Sequence, residues 1–366
     1  MNPPTVQNNP ADRPTNPELA VVIVNYNGWP DVVRLVLTLI ESPEVVEGRC
    51  EIIVVDNASD GPLPDEFLVE RPGLRLVLRV ENGGFAAGVN TGWRSTRAGW
   101  LLLLNPDVVA GADLIGRVMA RLSHDRARSD GPPGVVGFGL RNEDGTRQPS
   151  VGVDPNLWRS LRGLFIPRPR RKYQPAWRTK AGEVPWVTGA CALVDAALLQ
   201  TLGGMDDDFF LYYEEVALCR SARALGRRVE YDPGLEVVHL RPLQDRPVTP
   251  TLRIITRHSK LLYFRKHLPY WQFVGLSRVV IVESVARGAW AKGRGLAVEA
   301  RAWRTIGRLT RALRRGEPIV GRAVLALAEA SVGHAKGLRW EPGASHPGPH
   351  SSQKSSARPP RFRRTR

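Results

Sequence analysis

The stretch from residue 101 to residue 107, LLLLNPD, restricts the fold more than any other part of the chain. Four consecutive leucines are typical of a strand buried on both faces, as inside a parallel sheet. Pro106 cannot donate a ladder hydrogen bond, so Asp107 is predicted to lie at the carboxyl end of that strand. In open α/β sheets ligands bind at this edge, where a carboxylate can hold a divalent cation against a diphosphate. A plain junction between a strand and a loop is the alternative.

Two earlier segments repeat this pattern of a buried strand that ends in polar residues. Residues 19–27 read LAVVIVNYN and residues 51–57 read EIIVVDN. Helical stretches of about 10–15 residues separate the strands, which predicts βαβ units and a mostly parallel sheet. Because the carboxyl ends of parallel strands share one edge, we expect the three polar clusters to converge. The clusters are residues 25–27, 56–60 and 105–107.

Charge is distributed unevenly along the 366 residues, whose formal net charge is +16. Residues 1–240 contain 26 Lys and Arg against 30 Asp and Glu, whereas residues 241–366 contain 26 against 6. A basic carboxyl-terminal part therefore follows a mildly acidic globular part, which indicates an anionic partner for the basic part. The predicted division is a disordered terminus at 1–18, a globular α/β domain at 19–250, a basic helical region at 251–340 and a disordered basic tail at 341–366.

The basic region has the pattern of a helix that lies on a membrane surface. Arginines recur there at intervals of three and four residues, with tryptophans as candidate interfacial aromatics. Each cation near an anionic leaflet contributes about 1 kcal/mol. A helical appendage packed on the catalytic domain is the alternative, and nucleic acid is not expected, since no base-reading module is present. The residues concerned are Arg301, Arg304, Arg308, Arg311, Trp290 and Trp303.

Several features indicate the cytoplasm. The amino terminus is polar and rich in Pro and Asn, which is unlike a secretory signal, and no apolar run has the length of a membrane span. Cys50, Cys191 and Cys219 have neither paired nor metal-like spacing, so we expect reduced core cysteines. The predicted location is therefore cytoplasmic, peripheral at the inner face of the plasma membrane.

Seven motifs occur in a fixed order between about residue 19 and residue 267: VVIVNYN, VVDNASD, ENGGFAAGVN, LLLLNPD, WVTGA, GGMDDDFFLYYEE and VVH. Together they resemble the family 2 glycosyltransferases of the GT-A fold, particularly the rhamnosyltransferase-like branch. The resemblance implies an α/β protein with a single Rossmann-like mixed sheet flanked by helices. It also implies an enzyme that transfers a sugar from a nucleotide donor, here extended by basic helices.

The resemblance implies a nucleotide-sugar site at the strand ends. Asp56 would accept a hydrogen bond from the imide N–H of uracil or thymine; a loop-capping aspartate is the alternative. The Gly-rich turn at residues 82–85 precedes a helix and offers backbone N–H groups to phosphate, although it has neither Rossmann nor P-loop spacing. The residues implied around the nucleotide-sugar are Asn25, Asn27, Asp56, Asn82, Asn90 and Asp107.

By the same resemblance, Asp107 occupies the last position of the metal-binding motif and His239 is the second ligand of Mg²⁺ or Mn²⁺. A single histidine at a strand end is more often structural. Glu215 is the implied general base, which takes a proton from the acceptor hydroxyl. The family usually has Asp at this position and often another acid where this chain has Ala217, so the chain departs from the family pattern at both positions.

Three residues are implied on the acceptor side: Trp186, Asp206 and Glu214. An aromatic on an exposed loop stacks on a sugar face, whereas a buried Trp186 would belong to the core. Asp206 is the member of an acidic triplet that matches the family pattern and is expected to shape the site. Carboxylates such as Glu214 are also favoured at a helix start by the dipole alone.

The predicted activity is inverting, metal-dependent transfer of a sugar to a hydroxyl of a cell-envelope or polysaccharide glycan, and a lipid-linked acceptor would account for the basic helices. Rhamnose from dTDP-rhamnose is the expected donor, with dTDP- or UDP-sugars as the donor class, and galactofuranose and mannose donors remain alternatives. A catalytically impaired scaffold of the same fold is a further alternative. A nucleotidyltransferase is disfavoured, because no Gly-rich, Arg- or Lys-bearing loop follows the first strand.

Overall fold

The computed structural model describes residues 16–164, 166, 173–175, 179–241 and 248–333. The predicted tail at 341–366 and residues 1–15 of the predicted amino-terminal disorder lie outside the described residues. Glu18, which was assigned to that terminus, is ordered. Its backbone N–H donates to the Arg49 carbonyl at 2.8 Å, and its carboxylate pairs with Arg126 at 2.8 Å.

Strands and helices alternate through the first half of the chain, and helices follow one another in the last third. The strands are β1 (Leu19–Asn25), β2 (Cys50–Asp56), β3 (Leu74–Leu78), β4 (Trp100–Leu104), β5 (Val108–Val109), β6 (Val135–Arg141), β7 (Arg147–Gln148), β8 (Val151–Gly152), β9 (Gly182–Glu183), β10 (Trp186–Val187), β11 (Cys191–Asp195) and β12 (Val229–His239). The helices are α1 (Trp29–Leu39), α2 (Pro43–Val46), α3 (Phe85–Arg94), α4 (Leu114–Arg126), α5 (Leu157–Arg162), α6 (Ala196–Leu202), α7 (Glu214–Ala224), α8 (Pro250–His267), α9 (Tyr270–Gly293), α10 (Ala297–Arg315) and α11 (Arg322–Val332).

One mixed sheet organises the catalytic region, with strand order β3-β2-β1-β4-β11-β6-β12-β5. β3, β2, β1 and β4 are mutually parallel, whereas β11 is antiparallel to both β4 and β6. The sheet is thus less parallel than the alternation of strands and helices suggested. All side chains of β1 and β4 are buried, which explains their continuous apolar sequences. The carboxyl ends of β1, β2 and β4 lie along one edge, as predicted.

The two faces of the sheet build two separate cores. Val21 and Ile23 of β1 pack in a core with helices α1 and α4, whereas Val22 and Val24 face the opposite core. That second core also contains residues of α3, α6 and α7 and of all four helices from α8 to α11. The helical region therefore shares one apolar core with the catalytic sheet.

Helix α10 has the predicted polar face but does not offer its apolar face to a membrane. The four predicted arginines are exposed, while the opposite side of the helix packs on α8, α9 and α11. Trp303 is only 5% exposed, so its assignment as an interfacial aromatic was wrong, whereas Trp290 of α9 is 58% exposed. Across the described ranges, no helix combines the length and the apolar character that crossing a bilayer requires.

Gly84 is required where the chain turns from β3 toward α3. Its φ is +90°, and a Cβ at this position would lie 2.0 Å from the Phe210 carbonyl oxygen. We expect Gly84→Ala to lower the free energy of unfolding by about 3 kcal/mol, because it combines backbone strain with a clash against backbone. Urea denaturation measures this change. Gly145 has a φ of +80° but open space around its Cβ position, so Gly145→Ala is the matched control for strain alone. If Gly84→Ala and Gly145→Ala lower the free energy of unfolding equally, the close approach of position 84 to the Phe210 carbonyl is contradicted.

Candidate active site

The ends of β1 and β2 are joined by a buried hydrogen-bond cluster around Asp56. The Asn25 amide donates to Asp56 Oδ1 at 2.8 Å, and the Ser59 backbone N–H donates to Asp56 Oδ2 at 2.9 Å. The Ser59 hydroxyl also donates to Oδ1, at 2.5 Å. Asp56 therefore has the loop-capping contacts of the alternative interpretation. These contacts hold the carboxylate in place at the edge of the sheet, and its predicted role in base recognition stays a prediction.

The Gly-rich turn before α3 is held by two asparagine side chains. Asn57 donates to the Gly84 carbonyl and to Asn82 Oδ1, each at 2.9 Å, and Asn82 Oδ1 accepts the Gly84 N–H at 3.0 Å. Asn27, with a φ of +57°, accepts the Asp60 N–H at 2.7 Å. These bonds fix the loops that follow β1, β2 and β3. Asn25, Asn27 and Asn82 thus shape the backbone at this edge of the sheet, and their predicted role around the nucleotide-sugar stays a prediction.

Asp107 and His239 face each other at the edge of the sheet. His239 Nε2 lies 3.3 Å from Asp107 Oδ1, and both side chains are buried. Gln148 Oε1 lies 2.7 Å from His239 Nδ1, and its amide nitrogen donates to the His239 carbonyl at 3.1 Å. An amide oxygen only accepts hydrogen bonds, so Nδ1 donates to Gln148 and Nε2 is the ring nitrogen that faces Asp107.

This arrangement fits a divalent cation. A carboxylate oxygen and an imidazole lone pair repel at this distance unless a proton or a cation lies between them, and both are common metal ligands. The second contact of His239, with Gln148, is the outer-shell support that metal-bound histidines usually have. Within the described residues, no group of three or more His, Cys, Asp and Glu is placed to hold a metal. Phosphate oxygens and water would therefore complete the coordination.

Arg241 adds a positive charge beside this pair. Its Nε lies 3.7 Å from Asp107 Oδ2, and its guanidinium also pairs with Asp31 of α1. Asp31 is buried and contacts Arg34 at 2.8 Å as well. The carboxylates of Asp31 and Asp107 thus lie on either side of the Arg241 guanidinium near the carboxyl end of β4. Sequence reasoning missed Arg241, which follows the VVH motif by two residues and has no periodic signal.

Glu214 and Glu215 begin helix α7 and are both buried. The two residues before them, Tyr212 and Tyr213, have φ values of +68° and +74°. Non-glycine residues rarely adopt this conformation, and such strain concentrates at functional sites. Gly189 packs against the pair: a Cβ there would lie 3.9 Å from Glu215 Cβ and 3.3 Å from the Phe85 ring.

A chain of contacts joins the predicted base to the predicted metal ligands. The Asn105 N–H donates to the Ala190 carbonyl at 3.0 Å, and Ala190 follows Gly189, whose Cβ position lies 3.9 Å from Glu215 Cβ. On the other side, a Cβ on Gly28 would lie 3.9 Å from the Pro106 side chain. The loops after β1, β2 and β4 and the start of α7 therefore form one continuous rim. The convergence expected from the strand ends is present.

Three predicted contact residues have structural partners in this fold. Trp186 is buried, and its indole N–H donates to the Val153 carbonyl at 3.0 Å, so it belongs to the core and not to an exposed loop. Both ends of the Asn90 amide bond the Met205 backbone, at 2.8 and 2.7 Å. Asp206 pairs with Lys266 of α8 at 2.7 Å. The donor and acceptor roles of Asn90 and Asp206 stay predictions.

The family profile described as glycosyl transferase family 2 matches residues 20–203, which is half of the chain. The protein belongs to this family. The matched segment contains the loops after β1, β2 and β4 and the Gly-rich turn. Together with the mixed sheet flanked by helices, membership confirms the predicted α/β class of the GT-A glycosyltransferases and confirms that the protein is an enzyme of this type.

Relatives of this family 2 glycosyltransferase act in glycan assembly. N-acetylglucosaminyl-diphospho-decaprenol L-rhamnosyltransferase of Mycobacterium tuberculosis is 29% identical over 241 residues, 60% of this chain and 75% of the relative. The low-salt glycan biosynthesis hexosyltransferase Agl10 of Haloferax volcanii is 24% identical over 231 residues, 62% of this chain and 68% of the relative. Among solved structures, the mannosyltransferase PcManGT of Pyrobaculum calidifontis, in complex with GDP-Man and Mn²⁺, is 17% identical, with a TM-score of 0.47 over 91% of this chain and 90% of that chain.

Proposed function

We propose that this family 2 glycosyltransferase transfers L-rhamnose from dTDP-rhamnose to a hydroxyl of a lipid-linked glycan, with inversion at the anomeric carbon. The single observation that carries the proposal is the rim that joins Asp107 and His239 to Glu215 through Asn105, Ala190 and Gly189. The rhamnosyl donor and the lipid-linked acceptor are supported by the name of the mycobacterial relative. The enzyme would work as a peripheral protein at the inner face of the plasma membrane, where such an acceptor is embedded.

On the donor side, Asp56 would bind the base and the Gly83-Gly84 turn would offer backbone N–H groups to the diphosphate. Asp107 and His239 would hold Mg²⁺ or Mn²⁺, which would supply positive charge against the departing diphosphate. Arg241, beside Asp107, places a further positive charge at the same edge. Each of these groups is fixed by hydrogen bonds before substrate arrives, and such preorganisation favours catalysis.

On the acceptor side, Glu215 would take the proton of the attacking hydroxyl as the oxygen bonds to the anomeric carbon. The bond to the diphosphate breaks in the same displacement, so the configuration inverts. Burial of Glu215 beside Phe85 and Gly189 limits water near the base. That limitation favours transfer to a sugar over hydrolysis of the donor.

A donor panel tests the proposed sugar. We expect dTDP-rhamnose with Mn²⁺ or Mg²⁺ to raise the melting temperature of the protein more than UDP-galactofuranose or GDP-mannose does. A ligand at a hundredfold excess over its Kd stabilises the folded state by about 2.7 kcal/mol. Transfer to a lipid-linked acceptor is then measured with the donor that binds. A larger shift with another donor would reassign the sugar, and binding without any transfer would favour the scaffold alternative.

A further inference from the structure

A cavity of about 700 Å³ lies between the catalytic sheet and the carboxyl-terminal helices. Helices α5, α8 and α9 and the start of α10 enclose it, and Tyr212, Tyr213 and Val216 form the wall beside the catalytic rim. These three residues flank the Glu214-Glu215 pair in the chain. The wall of the cavity and the predicted base therefore belong to the same segment at the start of α7. Its volume is in the range of small-molecule sites.

Much of the cavity wall is apolar, and this apolar surface continues to the outside of the protein. Leu161, Leu261 and Leu276 line its interior, whereas Leu164, Trp290 and Leu296 line it and are also exposed to solvent. Exposed aromatic and aliphatic side chains at the mouth of a cavity mark a place where an apolar ligand or a membrane approaches. A sugar alone would not require such a lining.

Positive charge is concentrated on one side of the same cavity. The guanidinium carbons of Arg253, Arg257 and Arg287 lie 5.5, 4.6 and 5.4 Å from the centre of the Trp303 ring. Glu283 bridges two of these arginines, with contacts of 2.7 Å to Arg257 and 2.9 Å to Arg287. An indole face surrounded by three guanidinium groups stabilises cations that would otherwise repel one another.

The cations exceed the carboxylates around the cavity. Among its described lining residues, Arg159 and Lys260 join the three arginines, against Glu283 and Glu299 as the acidic residues. Burial lowers the pKa of Arg257. The hydrogen bond and the charge pairing with Glu283 raise the pKa, but their effect is smaller than that of burial. An arginine stays charged under such conditions. Arg253 pairs with Glu299 and Arg257 with Glu283, so the remaining cations leave a net positive charge for an anion that enters the cavity.

We propose that this cavity binds the diphosphate and the first isoprenoid units of a polyprenyl-diphosphate-linked acceptor. The inference rests on the proposed function and specifies its acceptor. The arginines would contact the diphosphate, the apolar wall would contact the isoprenoid chain, and the sugar would extend past Tyr213 toward Glu215. The exposed residues Trp290 and Leu296 would lie where the rest of the lipid continues into the membrane.

A double variant, Arg159→Gln/Arg287→Gln, tests this site with two acceptors. One is N-acetylglucosaminyl-diphosphoryl-farnesol, and the other is the benzyl glycoside of N-acetylglucosamine, which has neither diphosphate nor lipid. We expect kcat/KM for the lipid acceptor, relative to the glycoside, to fall about tenfold to a hundredfold, mainly through KM. Arg304→Gln/Arg308→Gln is the matched control: it removes the same charge from the exposed face of α10, away from the cavity lining.

The outcomes separate this inference from the proposed function. If the wild-type protein transfers sugar to neither acceptor, the proposed function fails. If the wild-type protein transfers to the lipid acceptor and the two double variants have the same kcat/KM ratio for the two acceptors, only the proposed role of the cavity is excluded. Equal losses on the two acceptors would also overturn the inference. Binding to vesicles of phosphatidylcholine and phosphatidylglycerol is the last comparison. If only Arg159→Gln/Arg287→Gln loses this binding, the cavity binds lipid headgroups in general, and the inference is overturned as well.

Discussion

Glu215→Gln is expected to lower kcat for sugar transfer about a thousandfold and to leave donor binding nearly unchanged. The amide has the shape of the carboxylate but cannot take the proton of the acceptor hydroxyl, and removal of a general base costs roughly a hundredfold to ten-thousandfold. Glu215 begins α7, is buried and lies against Gly189, so its position is fixed by packing. Steady-state transfer rates give the loss, and the donor-induced rise in melting temperature gives the binding.

Three further variants decide whether the Glu215 carboxylate itself is the base. Glu143 is an exposed residue in the turn between β6 and β7, so Glu143→Gln makes the same chemical change away from the rim and should leave kcat unaltered. Glu215→Asp shortens the side chain to the residue that the family usually has, and it should retain at least tenfold more activity than Glu215→Gln. Full activity in Glu215→Gln would exclude Glu215 as the base, and a loss in Glu214→Gln alone would transfer the role to Glu214.

The rim was predictable because it follows from a simple property of parallel sheets. Leu101–Leu104 had to be a buried strand, and Asp107 had to follow its carboxyl end. The same reasoning placed Asn25 and Asp56, which pair at 2.8 Å in the structure. Each inference needed only the local sequence and the rule that parallel strands end at one edge. The position of Glu215 came from the family resemblance instead.

Contacts between distant segments could not be read from the sequence. Gln148 fixes the His239 ring across 91 residues, and nothing near Gln148 distinguishes it from other polar turn residues. Trp186 is buried because β10 pairs with β8 and Gly152 leaves room beneath the indole ring. Trp303 has the sequence context of an interfacial aromatic, but α10 turns it toward Arg257 and away from solvent. Which side of a helix meets the rest of the protein is decided by tertiary packing.

Asp107→Asn is expected to reduce kcat/KM about a thousandfold and to raise the Mn²⁺ concentration that gives half-maximal activity. The carboxylate is one of two protein ligands in the proposed site, and the amide that replaces it carries no charge to offset the cation. Asp65 is exposed at the start of a short 3₁₀ helix, so Asp65→Asn is the matched control, and its metal dependence should equal that of the wild type. Activity measured against Mn²⁺ after treatment with EDTA gives both quantities.

Gln148→Leu tests the same site without touching a ligand. Gln148 accepts from His239 Nδ1 and so holds the ring with Nε2 facing Asp107, where Nε2 and Asp107 Oδ1 lie 3.3 Å apart. Loss of such an outer-shell partner weakens metal binding about tenfold to a hundredfold. We therefore expect Gln148→Leu to raise the Mn²⁺ concentration that gives half-maximal activity by that factor. At saturating Mn²⁺ its kcat should equal that of the wild type, whereas the kcat of Asp107→Asn should stay low. Undiminished activity of the wild-type protein in EDTA would contradict the metal site.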